Sequence, residues 1–200
     1  MPTRFHLHPD KKWYVFIESD TYLFWSTTLK YVSTLDHTEP HVLGHRTTAK
    51  ADHEFMQGGA GYVLSHEALR RAYFYIQENH ERLDRFIESE WAGDLALGAV
   101  FINSSVPMTY SWPIFQPSFF GVVDFGVTND RRRYWCYPAA SFHHMTPEAI
   151  EDLWNMEQQW LREENDVSFR TFHRRVDGLW TVITDVYYPG EQSIHIPPPR

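Results

Sequence analysis

The sequence predicts an α/β fold, and three observations point to it. Trp13-Tyr14-Val15-Phe16-Ile17 is a short apolar run rich in aromatic and β-branched residues, the pattern of a buried strand. From Ser26 the apolar residues Leu29, Val32 and Leu35 recur at helical spacing, and His41-Val42-Leu43-Gly44 then returns as a strand. Thr146-Pro147-Glu148 is a clear helix start, with Thr at the N-cap and Pro at the first helical position. Strand, helix and strand in succession layer helices on a sheet. With 200 residues and 42% hydrophobic content, the chain can bury a core as one domain spanning residues 1–200.

The remaining elements follow in order. Gln57-Gly58-Gly59-Ala60-Gly61-Tyr62 reads as a flexible turn that runs into the apolar pair Val63-Leu64. Ser65 caps the next helix, Glu67 sits in its first turn, and Leu69, Ala72, Tyr73 and Ile76 share one face. Another helix follows Gly93-Asp94, its stripe made by Leu95, Gly98, Ala99 and Ile102. Ala139-Ala140-Ser141-Phe142 reads as a strand that delivers His143 and His144. The helix begun at Thr146 carries Ile150, Leu153, Trp154 and Trp160, and Leu179-Trp180-Thr181-Val182-Ile183 reads as one more strand. Residues 190–200 form an extended tail that ends in Ile196-Pro197-Pro198-Pro199-Arg200.

Charge and composition narrow the function. Eighteen Lys and Arg face 26 Asp and Glu, a formal net charge of −8. Nucleic-acid backbones are held by clustered basic residues, and Arg131-Arg132-Arg133 is a short, isolated run, so no nucleic-acid partner is expected. The apolar run that ends at Ile102 falls far short of the ~18 residues of a membrane helix. The opening MPTRFHLHPDKKW has no apolar stretch of the signal-peptide kind, so the chain as written carries no targeting signal and is expected in the cytosol. Cys136 is the only cysteine, which excludes an internal disulfide and a cysteine-based zinc site. It reads either as a small buried residue beside Trp135 or as a thiol without its former partner.

Three constellations could carry chemistry. Glu18-Ser19-Asp20 ends the first strand, and carboxylates two residues apart in an extended chain point to the same side. Such a pair can hold a hard divalent cation and a sugar hydroxyl together, with oxygen ligands suiting Mg²⁺ or Mn²⁺; the alternative is a solvated acidic loop. The Gly58-Gly59-Ala60-Gly61 loop lets backbone approach a ligand closely, although it lacks the spacing of a nucleotide fingerprint and also reads as a plain turn. Asp94 at a helix start reads as a structural cap, and His143 far downstream, in an aromatic setting, as a packed imidazole or a ligand.

The order of these segments resembles a known family. FIESDTYLFWSTTLKYVSTLD, EPHVLGHR, FMQGGAGYVLSHEALRR, GDLALGAVFINSS and WCYPAASFHHMTPEAIEDLW together resemble the core-1 β-1,3-galactosyltransferase-like members of glycosyltransferase family 31, above all their fungal branch. The resemblance is strongest over residues 13–160. It implies a GT-A-like fold, the mixed sheet flanked by helices of nucleotide-diphospho-sugar transferases. It also implies donor-binding residues at Glu18, Ser19, Asp20, Gly58, Gly59, Ala60 and Gly61. By the same resemblance Asp20 and His143 are the ligands of Mn²⁺ or Mg²⁺, Glu18 lies nearer the donor ribose, and Asp94 is the general base.

The implied partners are a UDP-sugar donor, UDP-galactose first, and a glycan or glycoprotein acceptor, joined by a β-1,3 linkage. UDP leaves as a diphosphate whose charge a bound cation neutralises, while a positioned base contributes roughly 10²–10⁴-fold to the attack. Trp25, Tyr62, Trp91 and Trp112 could stack on sugar faces or pack in the core. The family's sheet has a sizeable uridine-holding segment before the acidic triplet, and only Met1 to Ile17 precede it here. The expectation is therefore an N-terminally truncated domain, without the membrane anchor and stem of a Golgi protein. The triplet opens with Glu where Asp is commoner in the family. Three function classes stand: an active metal-dependent transferase, an inactive homologue that binds a glycan or a partner, and a domain with no sugar function.

Overall fold

The computed structural model describes residues 9–49, 53–90, 92–124, 126, 128–129 and 132–163. A four-stranded mixed sheet organises them. Its strands are β1 (Trp13–Phe16), β3 (Val42–Gly44), β6 (Tyr62–Ser65) and β7 (Met108–Tyr110), in the order β1-β6-β3-β7. β6 runs antiparallel to both β1 and β3, and β3 runs parallel to β7. Three two-stranded ladders complete the strands: β2 (Tyr22–Leu23) with β10 (Ser141–Phe142), β4 (Arg46–Thr48) with β5 (Glu54–Met56), and β8 (Thr128–Asn129) with β9 (Arg132–Arg133). The α/β class expected from the sequence is the one observed, with helices on both faces of the sheet.

The helices are α1 (Trp25–Val32), α2 (His66–Glu78), α3 (His80–Ser89), α4 (Gly93–Asn103) and α5 (Pro147–Glu163). Two cores form because successive strand residues point to opposite faces. Val42 and Leu64 pack with Ala68, Leu69 and Ala72 of α2, Leu83 of α3, and Val100 and Phe101 of α4. Their neighbours Leu43 and Val63 turn the other way, onto Tyr31 and Val32 of α1 and onto Ile114, Phe115 and Ala140. The middle strands are buried on both faces, which is why they read as continuous apolar runs. A third cluster, Tyr22, Phe24, Phe142, Met145 and Leu153, fastens α5 to the β2–β10 ladder.

Local chemistry explains the helix starts. Ser65 accepts a hydrogen bond from the Ala68 N–H at 3.2 Å, and Thr146 accepts one from the Ala149 N–H at 3.2 Å. Glu67 in the first turn of α2 is held by Arg70 and Arg71, and the bond from Arg70 keeps its carboxyl down at about 2.

Several expectations need correction. β1 is an edge strand and only half buried, with Tyr14 alone fully inside. In α1 the buried face is Thr27, Thr28, Tyr31 and Val32, while Leu29 points out at 51% exposure. The threonine is tolerated there because the Thr28 hydroxyl donates back to the Phe24 carbonyl. α4 is apolar on all sides, so its periodicity cannot choose a face; Leu95, Ala96, Gly98, Val100 and Phe101 go in and Ile102 goes out. Trp154 of α5 is also exposed. α3 has no counterpart in the sequence reading. Cys136 is exposed and not a packed core residue. Trp91, the strand expected at residues 179–183 and the tail at 190–200 lie outside the described residues, as does the Trp160 side chain. Among the described residues no helix is long and apolar enough to cross a membrane.

Candidate active site

Two strand registers bring the sequence-predicted residues together. Phe16 of β1 pairs with Tyr62 of β6, so the acidic triplet just beyond β1 lies against the glycine turn that enters β6. Tyr22 of β2 pairs with Phe142 of β10 in an antiparallel register, so the residues before Tyr22 meet those after Phe142. Asp20 is thereby brought beside His143 and His144, and the Met145 N–H donates to the Asp20 carbonyl at 3.0 Å.

The glycine turn is pinned and not loose. The Gly61 N–H donates to the Gly58 carbonyl at 2.8 Å, and Gly61 takes φ +74°, a conformation that a side chain resists. The Gly59 carbonyl accepts from the Thr21 hydroxyl at 2.8 Å, and the Ala60 carbonyl accepts from the Ser141 hydroxyl. Gly59 lies against the imidazole of His143; a Cβ there would be 2.0 Å from Cε1 and 2.3 Å from Nε2. A Cβ on Gly58 would lie 2.8 Å from Glu18 Oε1 and 3.0 Å from Asp94 Oδ1. The turn is thus the floor of a cleft with His143 on one side and the Glu18 and Asp94 carboxylates on the other.

Asp94 does not cap α4. The N-cap is Ala92, with no side-chain cap hydrogen bond, and Asp94 sits in the first turn. Its Oδ2 instead accepts the Gly58 N–H at 2.8 Å, which ties α4 to the glycine turn across the cleft. Gly98 allows that approach, because any Cβ there would strike the backbone carbonyl of Glu54 and Phe55 in β5.

His143 is held at one ring nitrogen. Its Nδ1 lies 3.3 Å from the Pro117 carbonyl, which can only accept; the tautomer with its hydrogen on Nδ1 donates there and turns the Nε2 lone pair toward the acidic triplet. Nε2 is 3.4 Å from Asp20 Oδ1 and 3.7 Å from Glu18 Oε2. The His143 side chain is 9% exposed, while those of Glu18 and Asp20 are 55% and 42% exposed, so the cleft opens on the acidic side. Imidazole nitrogen and carboxylate oxygen at this separation fit a divalent cation. Ser19 is exposed at the mouth of the cleft.

Of the aromatic residues, Tyr62 is buried and stacked on Phe16 at 5.2 Å, and Trp112 is buried edge-on to Tyr134, so both are packing residues. Burial first, then the nearby Asp94 and Glu18 charges, push the Tyr62 hydroxyl's pKa up. Trp25 is exposed, at 51%. Sequence reasoning missed the buried polar supports: Thr21, Ser141, and the Tyr22 hydroxyl that donates to Glu157 Oε2 at 2.6 Å beneath the site. Only Thr21, directly after the acidic triplet, had a position that could have drawn notice.

A mixed sheet flanked by helices, with an acidic triplet at a strand end above a glycine turn, is a GT-A-like glycosyltransferase fold. Residues 2–116 match the family described as Fringe-like, and the chain belongs to that family. It is similar to a beta-1,3-glucosyltransferase of Mus musculus, 25% identical over 155 residues that make up 76% of this chain and 27% of that protein. The Homo sapiens beta-1,3-glucosyltransferase is 26% identical over 148 residues, 72% of this chain and 25% of that protein. The chain thus spans about a quarter of the length of the curated relatives it matches.

Proposed function

We propose that this chain is a divalent-metal-dependent, inverting β-1,3-hexosyltransferase that moves a sugar from a UDP-sugar to a glycan or glycoprotein acceptor. The observation that carries the reading is the hydrogen bond from the Gly58 N–H to Asp94 Oδ2 at 2.8 Å, with Glu18 and His143 on the same turn. It joins three segments far apart in the chain around one cleft. The family and the two named relatives support glycosyl transfer with β-1,3 linkage. The donor is a hexose: glucose by the names of the relatives, galactose by the core-1-like segments of the sequence.

In this reading Asp20 and His143 hold a Mn²⁺ or Mg²⁺ ion, which when bound neutralises the charge developing on the leaving diphosphate. Glu18 and the Gly58–Gly61 turn position the donor, the glycines admitting backbone where a side chain would obstruct. Asp94 is aimed by the Gly58 N–H at one oxygen, leaving the other to take the proton of the attacking acceptor hydroxyl. Attack from the face opposite the diphosphate inverts the anomeric centre, and no protein nucleophile is needed.

The test is calorimetry with UDP and Mn²⁺ alongside a transfer assay with UDP-glucose and UDP-galactose. Binding that disappears in Asp20→Ala, and transfer that disappears in Asp94→Asn with binding kept, is the expected pattern. Metal-independent UDP binding, or glycan binding without any turnover, would overturn it; the second result would make the chain a glycan-binding homologue.

A further inference from the structure

His144, beside His143, has no part in the site as drawn so far. Consecutive residues of an extended chain point to opposite sides, so a regular strand leaving β10 would send the two imidazoles apart. It does not: His144 takes φ +57°, in the left-handed region, and its ring turns onto that of His143 with centroids 3.8 Å apart and planes 26° from parallel. The two rings then present nitrogens to the two oxygens of one carboxylate. His143 Nε2 is 3.4 Å from Asp20 Oδ1, and His144 Nδ1 is 3.8 Å from Asp20 Oδ2.

Neither contact is a hydrogen bond, and each is an ion pair only with its imidazole protonated. Both separations are those of ligands that share an ion, since two donors each about 2.1 Å from one metal lie roughly 3–4 Å apart. One donor atom from each of Asp20, His143 and His144 lies within 4.8 Å of the other two. The His144 side chain is 65% exposed and the carboxylate 42%, which leaves the outer side of the group open for diphosphate oxygens.

Resting on the metal reading above, we propose that His144 is a third protein ligand, and that the resulting two-imidazole, one-carboxylate centre selects a borderline divalent ion over Mg²⁺. The chemical reason is the donor set. Mg²⁺ demands oxygen ligands and sheds water reluctantly, whereas imidazole nitrogen suits later first-row ions. One imidazole already favours the later ions, and a second strengthens that preference. The order expected for the full chain without nucleotide is Co²⁺ tighter than Mn²⁺, and Mn²⁺ tighter than Mg²⁺.

The experiment titrates the full chain with Co²⁺, followed by visible absorption and calorimetry, and separately with Mg²⁺. His144→Gly is the informative variant, because glycine accepts the left-handed backbone freely and the fold is kept; His144→Asn, which also tolerates that conformation, is the second. His144→Gly is expected to weaken Co²⁺ binding at least ~10-fold, to change its absorption band, and to alter Mg²⁺ binding less than ~3-fold. Co²⁺ binding within about two-fold of the parent in His144→Gly, while Asp20→Ala and His143→Ala both lose it, would overturn the third ligand and leave the two-ligand site standing. Equal losses of Co²⁺ and Mg²⁺ in His144→Gly would overturn the selectivity. Co²⁺ binding unaffected by Asp20→Ala and His143→Ala would sink the metal centre itself.

Discussion

Replacing Gly59 with alanine tests whether the glycine turn exists to seat His143. The added methyl would lie 2.0 Å from His143 Cε1, so ring or turn must move by roughly 1.5 Å to reach an ordinary carbon–carbon contact of about 3.5 Å. Neither side yields easily. The ring is buried, with Nδ1 on the Pro117 carbonyl, and the turn is tied through the Thr21 and Ser141 hydroxyls. Only Gly61 of this turn has positive φ, so the penalty at Gly59 is steric and not conformational. Overpacking of this kind costs about 1–3 kcal/mol, offset by ~0.4–1 kcal/mol of unfolded-chain entropy that alanine removes. At about 2–4 °C per kcal/mol, Tm should fall by up to ~10 °C with the fold retained. The displaced imidazole should weaken Mn²⁺ binding by ~10–100-fold, as loss of ligand orientation does elsewhere. Gly58→Ala is the control, since its methyl meets the tips of the Glu18 and Asp94 carboxylates, and the exposed Glu18 can swing away. Calorimetry with Mn²⁺ and a thermal melt measure both quantities. If Gly59→Ala binds Mn²⁺ as the parent does, with the same Tm, the turn does not position His143 and the site is wrongly built.

Asp94→Asn should lower transfer ~10²-fold or more and leave UDP binding intact, because an amide oxygen can still accept the Gly58 N–H but cannot take a proton; single-turnover kinetics and a UDP isotherm decide it. Tyr22→Phe should cost about 1–3 kcal/mol in a thermal melt, since it strands a Glu157 carboxyl that is 4% exposed. Burial raises the Glu157 pKa above its ordinary 4.5, so its protonated form is favoured in the fold; the associated stability is full below about 4.5 and is lost as pH rises through the raised value. The Tm advantage of Glu157→Gln over the parent should therefore grow as pH climbs above about 4.5, and a pH-independent difference between the two melts would discount the effect. Asp20→Ala should abolish Mn²⁺-dependent UDP binding, which the same calorimetry reads directly.

What the sequence by itself determined is local. Ser65 and Thr146 announce their helices because a cap is a contact between residues three apart, and Val42-Leu43-Gly44 announces a middle strand because both faces of that strand are covered. Acidic triplet, glycine turn, Asp94 and His143 were legible as motifs, since residue type and order survive without coordinates. α3 was not, for Asn79 before it makes no side-chain cap hydrogen bond and only Leu83 is fully buried. The tertiary structure decided the rest. Nothing near Asp94 in sequence says that its carboxylate reaches past its own helix to Gly58, or that α4 buries Phe101 and exposes Ile102. Nothing near Tyr22 says that it pairs with Phe142, the pairing that brings Asp20 Oδ1 within 3.4 Å of His143 Nε2. Such pairings join residues far apart in the chain, and their hydrogen bonds and burial are realised only once the intervening loops have closed, so their physical cause has no local trace in the sequence.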